Sequence, residues 1–373
     1  MIPVFEPVIG EEEIEAVVAA LRRGEISGTF GETLPRFEQE FADYIGCKHG
    51  VAVSSGTAAL HLSVAAAGIG PGDEVLLSSC TNIATALAPV HNGATPVPVD
   101  SEEITWNLDL DLIDDLITPR TRAIIPVHLF GHPVDMYRLN EIAARHNLFV
   151  IEDCAESHGA TCRGKMTGSF GHMGCFSFYS NKILTTGEGG MVVTNDGDLA
   201  ERMRLLRNLA FAKPRFRHEA RGYNFRLTGY QAAMGLAQLR KINSVIAHKR
   251  RVAHTYALHL SDIPGLQLPA ELDWAFNVYW MYALLVKPES GITRDELVAA
   301  LTREGIETRT FFCPMDQQPC LRSVAGFRHV PCPVAGRLWE QGLYLPSTHT
   351  LPEATIERIA GVIRETCQRK VSR

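Results

Sequence analysis

Glu74-Val-Leu-Leu-Ser-Ser-Cys-Thr-Asn-Ile-Ala-Thr-Ala-Leu-Ala-Pro-Val-His-Asn-Gly-Ala-Thr-Pro-Val-Pro-Val99 reads as strand, helix, strand. Glu74 to Leu77 and Thr95 to Val99 are expected as strands, apolar after their first residue, and Ile83 to His91 is the helix between them. The alternation continues downstream. Leu110 to Ile117 is expected as helix, Ala123 to Val127 as strand, Met136 to His146 as helix, and Leu148 to Ile151 as a strand ending at Glu152-Asp153. Short apolar strands separated by helices form βαβ units, so the fold class is α/β with a mostly parallel central sheet covered on both faces. Ligands gather at the carboxyl ends of such strands, and Asp153 stands at one of them.

Upstream, Glu11 to Arg23 places Ile14, Val17, Val18 and Leu21 on one side, with acids first and arginines last. That is an amphipathic helix matched to its dipole. Leu34 to Ile45 returns to helical spacing after a glycine-rich loop, Val51 to Val53 is a short strand, and Ser54-Ser-Gly-Thr57 turns into an alanine-rich helix. Downstream, Gly174-Cys-Phe-Ser-Phe-Tyr-Ser-Asn-Lys182 leads through a glycine-rich turn to a second apolar run ending at Thr194. Helical pattern follows over Asp198 to Arg207 and from Thr228 through Ile242 towards Tyr256. Between them, Ala212 to Arg226 is rich in Arg, Lys, Phe and Tyr without periodicity, and is expected to be a long surface loop. A boundary within Ser244 to Arg251 would divide a large domain, 1–245, from a smaller α+β domain, 246–373. The latter has a strand-like run at Val278 to Val286 and helices at Arg294 to Glu304 and Pro352 to Arg369.

The length of 373 residues exceeds one typical core and fits two domains. A chain 46% hydrophobic and 21% charged is not a disordered one. Net charge is -6 with no long basic run, so no nucleic-acid or membrane partner is expected. MIPVFEPVIGEEE has neither a basic start nor an apolar signal core, and no run is long enough to span a bilayer, so a cytoplasmic location is expected. Nine cysteines form no CxxC pair, and Cys154, Cys162 and Cys175 lack the histidine spacing of a zinc site. Reduced thiols and no metal are the expectation.

Three separated segments carry chemistry. A lysine between two strands, beside small and hydroxylated residues, is placed to lie in a pocket. Burial there disfavours the ammonium and makes Lys182 a usable amine; otherwise it is a solvated turn residue. Ser54-Ser-Gly-Thr57 opens a helix whose backbone amides form an anion site with the Thr57 hydroxyl, although Ser55 or Thr57 can equally be a simple cap. Asp153 can pair with a protonated ring nitrogen, with Ala155 small enough to sit under a flat ring, or it can cap a helix. An aspartate for a pyridinium, a lysine for an aldehyde and a helix terminus for a phosphate together describe pyridoxal phosphate.

The motifs SSGTAALHL, GIGPGDEV, PVHLFGHPVDM, VIEDCAESHGA, NKILTTGEGGMVVTND and GYNFRLTGYQAAMGLAQL resemble, in order and over nearly the whole chain, those of the DegT/DnrJ/EryC1/StrS sugar aminotransferases. Within the family, HLFGHPVDM, EDCAES, WMYALLV and GIETRTFF look most like the branch that forms GDP-perosamine. The resemblance implies a fold-type I, aspartate-aminotransferase-like homodimer with shared active sites. It assigns Lys182 to the covalent hold on the cofactor, Asp153 to the pyridine nitrogen, and Glu156 to the ring hydroxyl. Gly56, Thr57 and Ser177 match phosphate ligands, and Asn224 matches an asparagine delivered to the phosphate of the other subunit. Two departures stand out. Asn82 occupies the place of an aromatic that stacks on the ring, and Cys313 and Asp316 replace residues often histidine in relatives. The implied reaction moves an amino group from L-glutamate, through the pyridoxamine form, to the C4 ketone of a nucleotide-linked 4-keto-6-deoxysugar. GDP-4-keto-6-deoxymannose is the expected substrate. Another nucleotide ketosugar, a dehydratase (which carries histidine at the Lys182 position) and a non-catalytic cofactor sensor are the alternatives.

Overall fold

The computed structural model describes residues 1–214 and 216–371, so Arg215, in the expected loop, lies outside the described residues. Seven strands form the central sheet, in the order His49–Val53, Gly190–Thr194, Met173–Ser177, Phe149–Asp153, Thr121–Ile125, Glu74–Ser78, Thr95–Val99. The last five run parallel; Gly190–Thr194 is antiparallel to both of its neighbours. This exception follows from local connectivity. The turn carrying Lys182 returns the chain directly, whereas a parallel neighbour needs a helical crossover. Both faces are buried, as the unbroken apolar strands require: Val75 and Leu77 pack into one core and Leu76 into another.

Two expected elements come out shorter and a third is broken. Residues 110–117 are a single 3-10 turn, Leu110–Leu112, followed by the four-residue helix Ile113–Leu116. Pro119 forces Thr118 out of helical geometry, and Ile117 is already extended. The run from Val278 becomes strand only at Tyr282–Val286. Asn277 Oδ1 accepts the Tyr279 N–H at 2.8 Å and turns the chain there, with Tyr279 at a φ of 49°. The long helical pattern after Thr228 is two helices, Gly229–Arg240 and Ile242–Leu260, broken at Lys241.

The helix Ile242–Leu260 runs between two cores. Ile242, Val245 and Ile246 pack with the central sheet's aromatic core, and Val252, Tyr256 and Leu260 with a C-terminal core. That second core is built on a four-stranded sheet containing Tyr282–Val286 and Gly342–Leu345, with the helices Arg294–Arg303 and Glu353–Val371. The first residues of the chain join this C-terminal part. Ile2 donates its N–H to Gly305 O and accepts from Glu307 N–H, and Val4 O accepts from Ser347 N–H. Lys249, in the connecting helix, is buried and donates to Ser347 O.

Candidate active site

Strand ends and the turns after them bring three segments together around a cavity of about 280 Å³. In the first, Ser55 Oγ accepts the Ala58 N–H at 3.0 Å and caps the helix Gly56–Ala66. The N–H groups of Gly56 and Thr57 belong to the same turn, which has no partners within its helix, and both residues line the cavity. Gly56 lies against Ser177: a Cβ added to it would stand 2.6 Å from Ser177 Cβ. Only glycine permits this approach, and the result is a cradle of two amides and two hydroxyls suited to a phosphate.

In the second segment, Asp153 closes the strand Phe149–Asp153 and is buried. Its Oδ2 accepts the Thr85 hydroxyl at 2.8 Å and its Oδ1 the Ala155 N–H at 3.1 Å. Burial pushes its pKa up, with Thr85, Ala155, Lys182 and His128 pulling it back. Such a carboxylate favours a cationic N–H donor in the cavity. Glu156 is also buried, and its Oε2 accepts the Phe130 N–H at 2.8 Å. Burial raises its pKa to about 7, against the pull of Lys182.

In the third, Lys182 follows the strand Met173–Ser177, and its Nζ lies 3.8 Å from the centre of the Trp280 ring. Trp280 is anchored by its own indole N–H, which donates to Asn181 O at 2.7 Å. Burial lowers the Lys182 pKa, opposed by the Glu156 and Asp153 carboxylates. The amine is thereby shifted towards its neutral, nucleophilic form.

Seven of the eight residues singled out from sequence line this one cavity: Gly56, Thr57, Asp153, Ala155, Glu156, Ser177 and Lys182. Asn224 does not. It is exposed, in an extended segment bridged to Asn208. Its neighbours Tyr223 and Phe225 stack on one another and pack against His61. Sequence reasoning missed the aromatic side of the cavity, Trp280, Phe312 and Tyr344, which comes from the C-terminal third. It also missed Thr85, which no motif marks. Asn82 lines the cavity, and its side chain is used locally: Oδ1 accepts the Ala84 N–H at 3.0 Å at the start of the helix Ala84–His91. An Asn just before the helical run expected from Ile83 is a readable turn signal.

All nine cysteines carry free thiols. His128, Glu152 and Cys154 bring ligand-type atoms within 4.8 Å of one another. Their bonding is already committed, because Glu152 accepts N–H groups from Gly168, Phe170 and Gly171 and faces His128 Nε2 at 3.2 Å. Burial also raises the Cys154 pKa and keeps the thiol protonated. Among the described residues, no helix is long and apolar enough to cross a membrane.

Residues 7–364 match the model of the DegT/DnrJ/EryC1/StrS aminotransferase family. A GDP-perosamine synthase of Caulobacter vibrioides is 43% identical over 364 residues, covering 97% of each chain. The dTDP-3-amino-3,4,6-trideoxy-alpha-D-glucose transaminase of Streptomyces venezuelae is 39% identical, covering 99% of this chain and 97% of its own. The crystal structure of S. venezuelae DesV in complex with a ketimine intermediate superposes with a TM-score of 0.89 at 38% identity, covering 96% of this chain and 95% of that one.

Proposed function

We propose that this chain, which belongs to the DegT/DnrJ/EryC1/StrS aminotransferase family, transfers the amino group of L-glutamate to the C4 ketone of GDP-4-keto-6-deoxymannose. It is a pyridoxal-phosphate-dependent aminotransferase of the sugar-modifying kind. The observation that carries the reading is one cavity holding a lysine of lowered pKa, a buried carboxylate with few donors, and a helix-terminus cradle.

Those residues fit the cofactor. The cradle of Gly56, Thr57 and Ser177 would hold the phosphate, Asp153 the ring nitrogen, Glu156 the ring hydroxyl, Ala155 the underside of the ring, and Lys182 the aldehyde carbon. Bound there, pyridoxal phosphate supplies an electrophilic carbon for amines and a ring that accepts the electron pair left when a proton departs. Asp153 would stabilise the protonated ring nitrogen from a buried site. The Lys182 amine would take the proton from the α-carbon of glutamate and, in the second half, would deliver a proton to C4 of the sugar. Trp280 limits where Nζ can move between those tasks, and the other aromatic residues shield the proton transfers from water.

On the same reading the chain works as a homodimer. Tyr223 and Phe225 dock on their own subunit, and exposed Asn224 completes the phosphate site of the second copy. Residues 1–245, apart from the first few that pair with the C-terminal part, form the cofactor-holding domain, 246–373 the domain that covers it, and the protein is cytoplasmic.

The test is to convert the protein to its pyridoxamine form with L-glutamate and present a panel of nucleotide-linked ketosugars. Return of the pyridoxal absorbance with GDP-4-keto-6-deoxymannose, and faster than with any other, is the expected result. The relatives support a second reading, because a similar enzyme is named for a dTDP-linked 3-amino sugar. Faster return with a dTDP-linked or 3-keto sugar would favour it.

A further inference from the structure

We infer that Thr85 is a positioning residue for the transamination: its hydroxyl fixes the Asp153 carboxylate in the orientation and ionised state that the cofactor's ring nitrogen requires. This rests on the reading above that Asp153 meets that nitrogen.

Three threonines inside helices satisfy their hydroxyls on their own helix. Thr255, Thr302 and Thr366 each donate to the carbonyl four residues earlier. Thr85 instead reaches to another element, 68 residues away, and donates to Asp153 Oδ2 at 2.8 Å. Thr85 is fully buried and Asp153 nearly so. No side-chain cation pairs with Asp153 among the described residues, so two neutral donors, Thr85 O–H and Ala155 N–H, are what hold the carboxylate. Each oxygen then has one donor and one open lone-pair direction. A ring N–H is a donor that fits one of these directions.

The Thr85 hydroxyl is itself oriented. Thr81 Oγ1 lies 3.3 Å away, and when Thr85 gives its proton to Asp153, Thr81 donates to Thr85. The helix start is pinned by Asn82, which accepts the Ala84 N–H through its side chain and the Thr85 N–H through its carbonyl. The chain of contacts runs from Asn82 at the cavity, through the helix start, to Thr85 and Asp153. Position 82 thereby acts on the hidden edge of the ring, opposite to what its exposed place suggests.

The test uses the glutamate half-reaction of the holoenzyme, with no sugar nucleotide present, so the identity of the sugar does not enter. Thr85→Val keeps the shape and removes the donor; Thr85→Ser keeps the hydroxyl. For Thr85→Val, the half-reaction rate should fall about tenfold or more, as for loss of one hydrogen bond to a charged group. The 15N resonance of cofactor labelled at the ring nitrogen should move towards the unprotonated value. Thr85→Ser should restore both. In an Asp153→Asn background, Thr85→Val should add little. A wild-type rate and 15N shift in Thr85→Val overturn the inference, as does a loss of stability with an unmoved 15N shift. If Thr85→Val does not fold, Thr85→Ala is read in the same way. An unmoved 15N shift in Asp153→Asn alone overturns instead the placing of Asp153 at the ring nitrogen.

Discussion

Lys182 Nζ lies 3.8 Å from the centre of the Trp280 ring, and the indole N–H is fastened to the carbonyl of Asn181, the residue before that lysine. The indole is therefore placed by the backbone beside Lys182, and the amine lies against the ring so placed. Lys182→Ala should abolish turnover and the visible absorbance of lysine-bound cofactor. Trp280→Leu should leave that absorbance in place while kcat falls about tenfold, from loss of the ring contact and of the amine's restraint. Trp280→Phe should fall between. Absorbance spectra and kcat on the three variants check the order.

Gly56 admits no side chain because Ser177 occupies the space. Gly56→Ala should weaken cofactor binding at least tenfold, on the order of the 1–3 kcal/mol that overpacking costs. Adding Ser177→Gly should not restore affinity: it removes the Cβ that the new methyl meets, but also the hydroxyl assigned to the phosphate. Cofactor titration of the single and double variants measures both.

Asn224 should act in trans. Lys182→Ala and Asn224→Ala homodimers are each expected to be inactive or nearly so. Unfolded, mixed in equal amounts and refolded, they should regain up to about a quarter of wild-type activity, because half the dimers are mixed and each has one intact site. No recovery in a mixture shown to contain mixed dimers would place Asn224 outside the partner's site.

Lys249 gives a pH signature unrelated to catalysis. Burial lowers its pKa to about 7 from an ordinary value of 10.5. Between those values the unfolded chain binds more protons than the folded one, so this residue's contribution to stability rises with pH. Against Lys249→Met, the wild type should gain up to about 1.4 kcal/mol per pH unit from pH 7 to 9.5. Urea unfolding of the pair at several pH values measures this. The comparison cancels the buried cysteines, whose raised pKa values act in the opposite direction.

The alternation around Glu74 to Val99 was enough for the α/β architecture, because a strand buried on both faces must be apolar throughout. Lys182, Asp153 and the Gly56 cradle were also legible, since each combines a residue type with a strand end or turn. Trp280, Phe312 and Tyr344 were not. They reach the cavity through the packing of the C-terminal part on the sheet, which no local pattern records. Thr85 was invisible for a different reason: a threonine in a helix reads as a neutral residue until its hydroxyl partner is known. Tyr279 shows the same limit in backbone form, because the turn made by Asn277 interrupts a run that is apolar enough to be strand.

The pairing of Ile2 and Val4 with residues 305–307 and 347 bears on recombination between relatives. A hybrid that exchanges everything beyond the helix Ile242–Leu260 takes the aromatic side of the cavity from one parent and the side carrying Lys182 and Asp153 from the other. It also inherits a first segment written for the wrong partner. Such a hybrid needs two crossover points, one in that helix and one after residue 6, so that both pieces of the C-terminal part come from a single parent.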